Sequence, residues 1–346
     1  MLSRRGFLAS VAASAVPVSG WAGAGNPAFI AAGKSADGTF VLCGLTHAGT
    51  IAFRIPLPSR GHAAAAHPVR AEAVAFARRP GRFAFVIDCA TGAVLRQLTP
   101  PDGHHFYGHG AFLDGGRILV TTENAFESGQ GRLGIWDVTE GYRRIDQIAS
   151  GGIGPHEVVR LPGTEVLAVA NGGIRTHPDH GRDKLNLDTM RPNLSLVSEG
   201  RIVDQLELSD PKLSIRHIAA RSDGTVAIGV QSEHAVPRPT PMIVTYRRSG
   251  DAVSLGEEFS METQGYVGSV AWSGDGTRIA ATCPRGACAM IWDGAQFSRF
   301  DRSEVCGVAP FRADLAFTDG LGGFFRGTEA GRLPVQWDNH LVEVTT

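Results

Sequence analysis

The 346-residue chain has almost no net charge, 33 basic residues standing against 34 acidic ones to leave −1. No surplus of Lys and Arg is available for a phosphate backbone or an anionic bilayer, so nucleic acid and membrane surfaces are set aside as partners. Long apolar runs are equally scarce: after the N-terminus every apolar stretch is broken by Gly, Asp or Arg within about ten residues, too few to span a bilayer. Long amphipathic helical patterns are missing as well. So are the familiar catalytic signatures: there is no Gly-rich phosphate loop between a strand and a helix, no His-Glu-x-x-His and no Gly-x-Ser-x-Gly. The Cys-x-x-Cys spacing of redox and structural zinc sites is absent too.

The N-terminus is a distinct segment. Ser3-Arg4-Arg5-Gly6-Phe7-Leu8 precedes an apolar run to Val18 and small residues at Ala22-Gly23-Ala24. That order reads as a twin-arginine export signal. Residues 1–24 are therefore expected to be a signal peptide and residues 25–346 a single domain, soluble and monomeric in the periplasm once the signal is removed. The route carries folded proteins, which suits a cofactor inserted before export. Five cysteines leave at least one unpaired. Cys283 and Cys288 flank a Pro-Arg-Gly turn, where either a hairpin disulfide or two buried thiols is in keeping with the pattern.

What the chain has in abundance is turns, with 44 Gly, and short apolar runs rich in Val, Ile, Phe and Ala. They recur as a unit of four. The clearest unit is Gly108–Leu113, Arg117–Thr122, Gly131–Asp137 and Tyr142–Ile148. The cycle restarts at His62, His156, His217 and near Ser269, and Trp136-Asp137 is echoed by Trp292-Asp293. Four-stranded units at this period predict an all-β propeller. Seven blades result if the terminal Trp337–Val344 is the first strand of a blade whose other strands are Phe29–Ala32, Thr39–Cys43 and Thr50–Arg54.

Aligning the blades puts histidine at one place repeatedly. His62, His156 and His217 each stand six residues before the Pro or Asp of the following turn, and His109 stands five before Asp114. His340 opens the closing strand, whereas Ser269 and Cys306-Gly307 hold the position in the remaining blades. First strands of propeller blades are innermost, so these residues are expected at one mouth of the channel. Neutral imidazole binds iron, copper, zinc and nickel, which makes His62, His109, His156, His217 and His340 candidate ligands for a metal ion or a haem-like cofactor. Substrate or anion binding, and hydrogen bonds that merely cap each blade, are the rival readings. Glu157 and Glu123 are available as an added ligand or proton carrier.

The ends of the second strands are polar, at Glu123-Asn124, Asn171 and Gln231-Ser232, and antiparallel pairing sets them beside the histidines. The connection from Asn171 to Pro192 is unusually long and carries Arg175, His177, His180, Arg182, Lys184, Asp188 and Arg191. It is expected to form a lid, anchored by Leu185, Leu187 and Met190. Asn124, Asn171, Arg175, Arg191 and Arg216 are the expected polar contacts for a bound group.

The segments Glu72–Gly81, Gly108–Gly110, Thr121–Asn124, Gly151–Glu157, Ala170–Ile174, Leu185–Pro192, Ser214–His217 and Trp337–Leu341 together resemble the bacterial family catalogued as domain of unknown function 1513. The resemblance implies an exported seven-bladed propeller of the quinoprotein amine dehydrogenase or YVTN type. It also implies a genomic setting shared with imelysin-like iron-uptake lipoproteins, hence iron-uptake partners. No catalytic residues come with it. A metal-binding propeller in iron or metal handling is the leading expectation. The alternatives are a lyase- or hydrolase-type enzyme acting on a small polar substrate at the same mouth, and a non-catalytic docking platform.

Overall fold

The computed structural model describes residues 20–78, 82–181, 183–327 and 329–344. The twin-arginine motif and its apolar run lie outside the described residues, as does Arg182. Seven four-stranded antiparallel sheets follow one another round a ring, giving the predicted seven-bladed propeller. The inner strands are Gly61–Ala66, His104–Leu113, Pro155–Arg160, Leu213–Ala220, Ser269–Trp272, Val305–Phe311 and Val335–Glu343, here defining blades I to VII in that order. Each inner strand touches that of the next blade, and blade VII returns to blade I.

Blade VII joins the two ends of the chain. Val335–Glu343 pairs antiparallel with Phe29–Ser35, and Phe40–Leu45 and Ile51–Leu57 follow outward, as the one-plus-three strand count required. The closure leaves no open edge between the chain ends. Asp338, buried in blade VII, seals the seam to blade I by accepting from Arg60 Nε at 2.6 Å and Arg78 Nη1 at 3.3 Å.

Radial position explains composition. Second strands lie between neighbouring blades, so Glu72–Ala77, Leu167–Asn171 and Ile279–Cys283 are buried at every residue and read as continuous runs without alternation. Outer strands such as Val94–Leu98 and Arg143–Ala149 are largely exposed. Aromatics mesh between blades: Phe76 of blade I packs in one cluster with Phe106 and Trp136 of blade II. Each fully buried Phe of this kind contributes about 1.5–3 kcal/mol.

Residues 20–24, assigned to the end of the signal peptide, are packed against blade I. Trp21–Ala24 forms a short 3₁₀ helix, Trp21 is buried, and its indole N–H donates to the His67 carbonyl at 2.9 Å. All five cysteines are free and buried; Cys283 and Cys288 face each other in register across the hairpin.

Candidate metal centre

In a regular strand side chains alternate between two faces. Both faces of a blade's inner strand abut other blades, so aiming a side chain at the axis needs a break in the pairing. A β-bulge supplies one. The register with the second strand shifts at or beside each histidine: between Gly61 and Ala64, Phe106 and Gly110, Pro155 and Glu157, Ile215 and His217, and opposite Ala31 and Gly33 for His340. Blade VI has the bulge but fills it with Cys306 and Gly307, whereas blade V pairs from Ser269 to Trp272 without a shift. The strand start predicted for the histidines is thus corrected for His109, His217 and His340, which stand well inside longer strands. Gly108, at φ +104°, makes room for the arrangement: a Cβ there would stand 2.5 Å from Cδ2 of His62.

The five rings converge across the channel. Ring centroids are 4.7 Å apart for His62 and His340, 4.6 Å for His109 and His340, 5.0 Å for His62 and His109, and 4.8 Å for His156 and His217. His217 and His340, on non-adjacent blades, are 5.2 Å apart. Glu157 completes the cluster, with its carboxylate oxygens 3.7 Å from His109 Nδ1 and 3.3 Å from His217 Nδ1. It also accepts from the Ile218 backbone N–H at 3.2 Å.

Among the described residues none of the five rings bonds a backbone group, so capping does not account for them. Instead His62 Nδ1, His109 Nε2, His156 Nδ1 and His340 Nε2 are buried without a protein hydrogen-bond partner. Buried polar atoms are ordinarily satisfied, so these four nitrogens are available to a bound group. Burial pushes every ring toward its neutral, ligand-ready form. His62, His109 and His156 are held well below the ordinary value by desolvation and then by the neighbouring cations and rings. His217 is lowered to about 3 by burial and Arg216, and His340 to about 4 by burial and His217. Burial pushes Glu157 up to about 7, against the pull of His340.

Two overlapping donor sets have all their ligand atoms within 4.8 Å of one another: His62 with His109 and His156, and His109 with Glu157 and His340. Nitrogens around a tetrahedral ion at bonds of about 2.0–2.1 Å sit roughly 3.4 Å apart. A pair at the 4.8 Å limit has to close by about 1.4 Å, within reach of small χ rotations. Cys306 adds no thiolate, since burial raises its pKa to about 12 and its Sγ faces the Thr318 and Trp337 carbonyls.

A cavity of about 290 Å³ opens onto His62, His156 and His217. The long connection borders it through Ile174, Thr176 and Lys184, in keeping with a lid. Polar contacts anchor that segment: Arg175 Nη2 donates to the Glu127 carbonyl at 2.8 Å, Asn186 Nδ2 to the Gly173 carbonyl at 2.9 Å, and Lys184 pairs with Glu233. Of the three expected hydrophobic anchors only Met190 is fully buried, and Leu185 is exposed.

Of the expected polar contacts, Arg216 alone lines the cavity. Asn124 ties the lid to blade II by donating to the Thr176 carbonyl at 3.1 Å. Asn171 turns away from the cavity, donating to the Ser150 carbonyl in the connection from blade II and to Asn193 Oδ1 of its own blade. Arg175 is spent on Glu127, and Arg191 is exposed. Glu123 is fully buried but held by both Nη atoms of Arg144, away from the histidines. Arg285, Glu233 and Tyr266 also line the cavity and were not among the expected contacts; they stand in turns and loops beyond the strand ends.

Among solved structures, the fold is similar to a chain of Kuenenia stuttgartiensis hydrazine synthase, with a TM-score of 0.63 and 11% identity over 89% of this chain and 96% of that one. At that identity the likeness speaks for the propeller alone. No curated protein matches the sequence. A family model does match, over residues 55–344, a span that contains all five histidines and the lid, and on that match the chain belongs to the family described as "Protein of unknown function (DUF1513)".

Proposed function

We propose that this propeller binds one first-row transition-metal ion, iron or copper, in the histidine cluster and serves in metal handling outside the cytoplasm. The observation that carries the reading is the pair of three-residue donor sets that share His109, in a cluster where four buried ring nitrogens have no protein partner. Imidazoles held neutral by burial are ready donors, and a set of two histidines with one carboxylate suits iron. The rings touch one another at centroid spacings of 4.6 to 5.7 Å in most pairs, which favours a single ion over a haem-like macrocycle. Export rests on the Ser3–Leu8 motif, and a role beside imelysin-like iron-uptake proteins rests on the family resemblance.

Protein stripped with a chelator is titrated separately with Fe(II) under anaerobic conditions, Cu(II) and Zn(II). One equivalent of iron or copper is expected to bind, and His109→Ala, which removes the ligand common to both donor sets, is expected to abolish it. Failure of every ion to bind stoichiometrically refutes the reading. Cell fractionation of the full-length chain beside Arg4→Lys/Arg5→Lys tests export: equal periplasmic recovery of both counts against it.

A further inference from the structure

The cavity over the cluster has a charge pattern of its own. Arg78, Lys184, Arg216 and Arg285 reach its wall from four separate elements. Two carboxylates face them: Glu233, which takes Lys184 and, at 3.5 Å, Arg216, and Asp338, which takes Arg78. Arg285 stacks its guanidinium 4.2 Å above the ring of Tyr266, an arrangement that fixes its plane while leaving its N–H edge for a ligand. The walls are thus net positive before any ion is bound.

The floor strengthens the case. His62, His156 and His217 form it, so an ion held by His62, His156 and His109 would lie against the cavity. Held by the three neutral imidazoles of the His62, His109 and His156 set, a divalent ion would keep its full charge, and buried charge needs a partner. We propose that the cavity binds a small organic carboxylate. Its carboxylate is held by Arg216 and Arg285 and, when the ion is present, a second oxygen group reaches the metal. Guanidinium groups recognise carboxylates in a planar, two-toothed manner. Tyr107, Ile174 and Tyr266 give the cavity apolar wall, which suits a carbon skeleton better than bare phosphate. At about 290 Å³ the space lies at the small end of ligand sites, which run from about 300 to 1,000 Å³.

The contact with the ion rests on the metal reading above; the anion site does not. Calorimetric titration of succinate, citrate and inorganic phosphate into both stripped and metal-loaded protein separates the two. Succinate or citrate is expected to bind one equivalent in the metal-loaded form, more tightly than phosphate, with affinity reduced at least tenfold by Arg285→Gln and by Arg216→Gln. Exposed Arg201→Gln serves as the charge control and is expected to leave binding unchanged. If no metal binds, carboxylate binding to the stripped protein that still depends on Arg285 sustains the anion site and removes only the bridge. The inference is overturned by absence of carboxylate binding in both forms, by tighter binding of phosphate, or by Arg285→Gln binding as wild type does while melting normally.

Discussion

Gly108→Ala is the sharpest test of how the backbone builds the site. Gly108 has φ +104°, and an added Cβ would lie 2.5 Å from Cδ2, 3.2 Å from Cγ and 3.3 Å from Cβ of His62. Carbon atoms rest about 3.5–4.0 Å apart, so the imidazole has to retreat by an ångström or more. An L side chain at such a φ costs on the order of 1–3 kcal/mol. Forcing His62 off its rotamer adds about 0.5–1.5 kcal/mol. A total loss near 2–4 kcal/mol is expected, read as a lower urea midpoint at unchanged slope, together with weakened metal binding because His62 leaves the cluster. The steric part belongs to the ring, so His62→Ala in the Gly108→Ala background should cost less than in wild type, giving a coupling of about 1 kcal/mol in a double-mutant cycle. If Gly108→Ala stays within about 0.5 kcal/mol of wild type, the placement of His62 against blade II is wrong.

Other substitutions probe neighbouring features. Glu157→Gln keeps the shape and the Ile218 N–H contact but removes the anionic donor beside His109 and His217; metal affinity should fall about 10–100-fold, and an unchanged affinity removes Glu157 from the donor set. His67 caps a turn, its Nδ1 accepting from the Val69 and Arg70 N–H groups at 3.1 and 2.9 Å, and burial followed by Arg70 lowers it from 6.5 to about 4. Between those values the unfolded chain takes up a proton that the folded chain refuses, so acid costs stability. His67→Asn retains an acceptor without the titration, and its advantage over wild type should grow by about 1–2 kcal/mol from pH 7 to 4, the full shift being reduced by nearby solvent; a pH-independent difference in urea unfolding contradicts this. Cys283 and Cys288 are register partners on antiparallel strands. Such partners stand about 4.5–5.5 Å apart between Cα atoms, within disulfide range. Oxidation should close the six-residue loop and add about 2 kcal/mol by loop entropy. Cys288→Ser should erase the difference in melting temperature with and without reductant.

The repeat of short apolar runs and turns was enough to read an all-β ring of seven blades, because in six of them the four strands are consecutive in sequence and their burial sets their composition. Even the closure by Val335–Glu343 followed from counting strands at the two ends. The five histidines were legible for the same reason, since equivalent positions in a repeat share one place in space. The register shifts were not legible, because a bulge depends on pairing with a neighbouring strand and leaves no fixed residue code. Only the bulges turn His109, His217 and His340 from mid-strand positions toward the axis. The polar candidates show the same limit. Asn124, Asn171 and Glu123 stand in second strands near the right end, yet their side chains are taken up by Thr176, Asn193 and Arg144. Arg285 lies in a turn of blade V, which has no histidine, and reaches the cavity because the ring brings blades that are distant in sequence round to the same mouth. Local periodicity determines which strands form and where they sit along the radius. Where a side chain points, and which distant side chain it meets, is decided by register and ring closure, which exist only once the blades have paired.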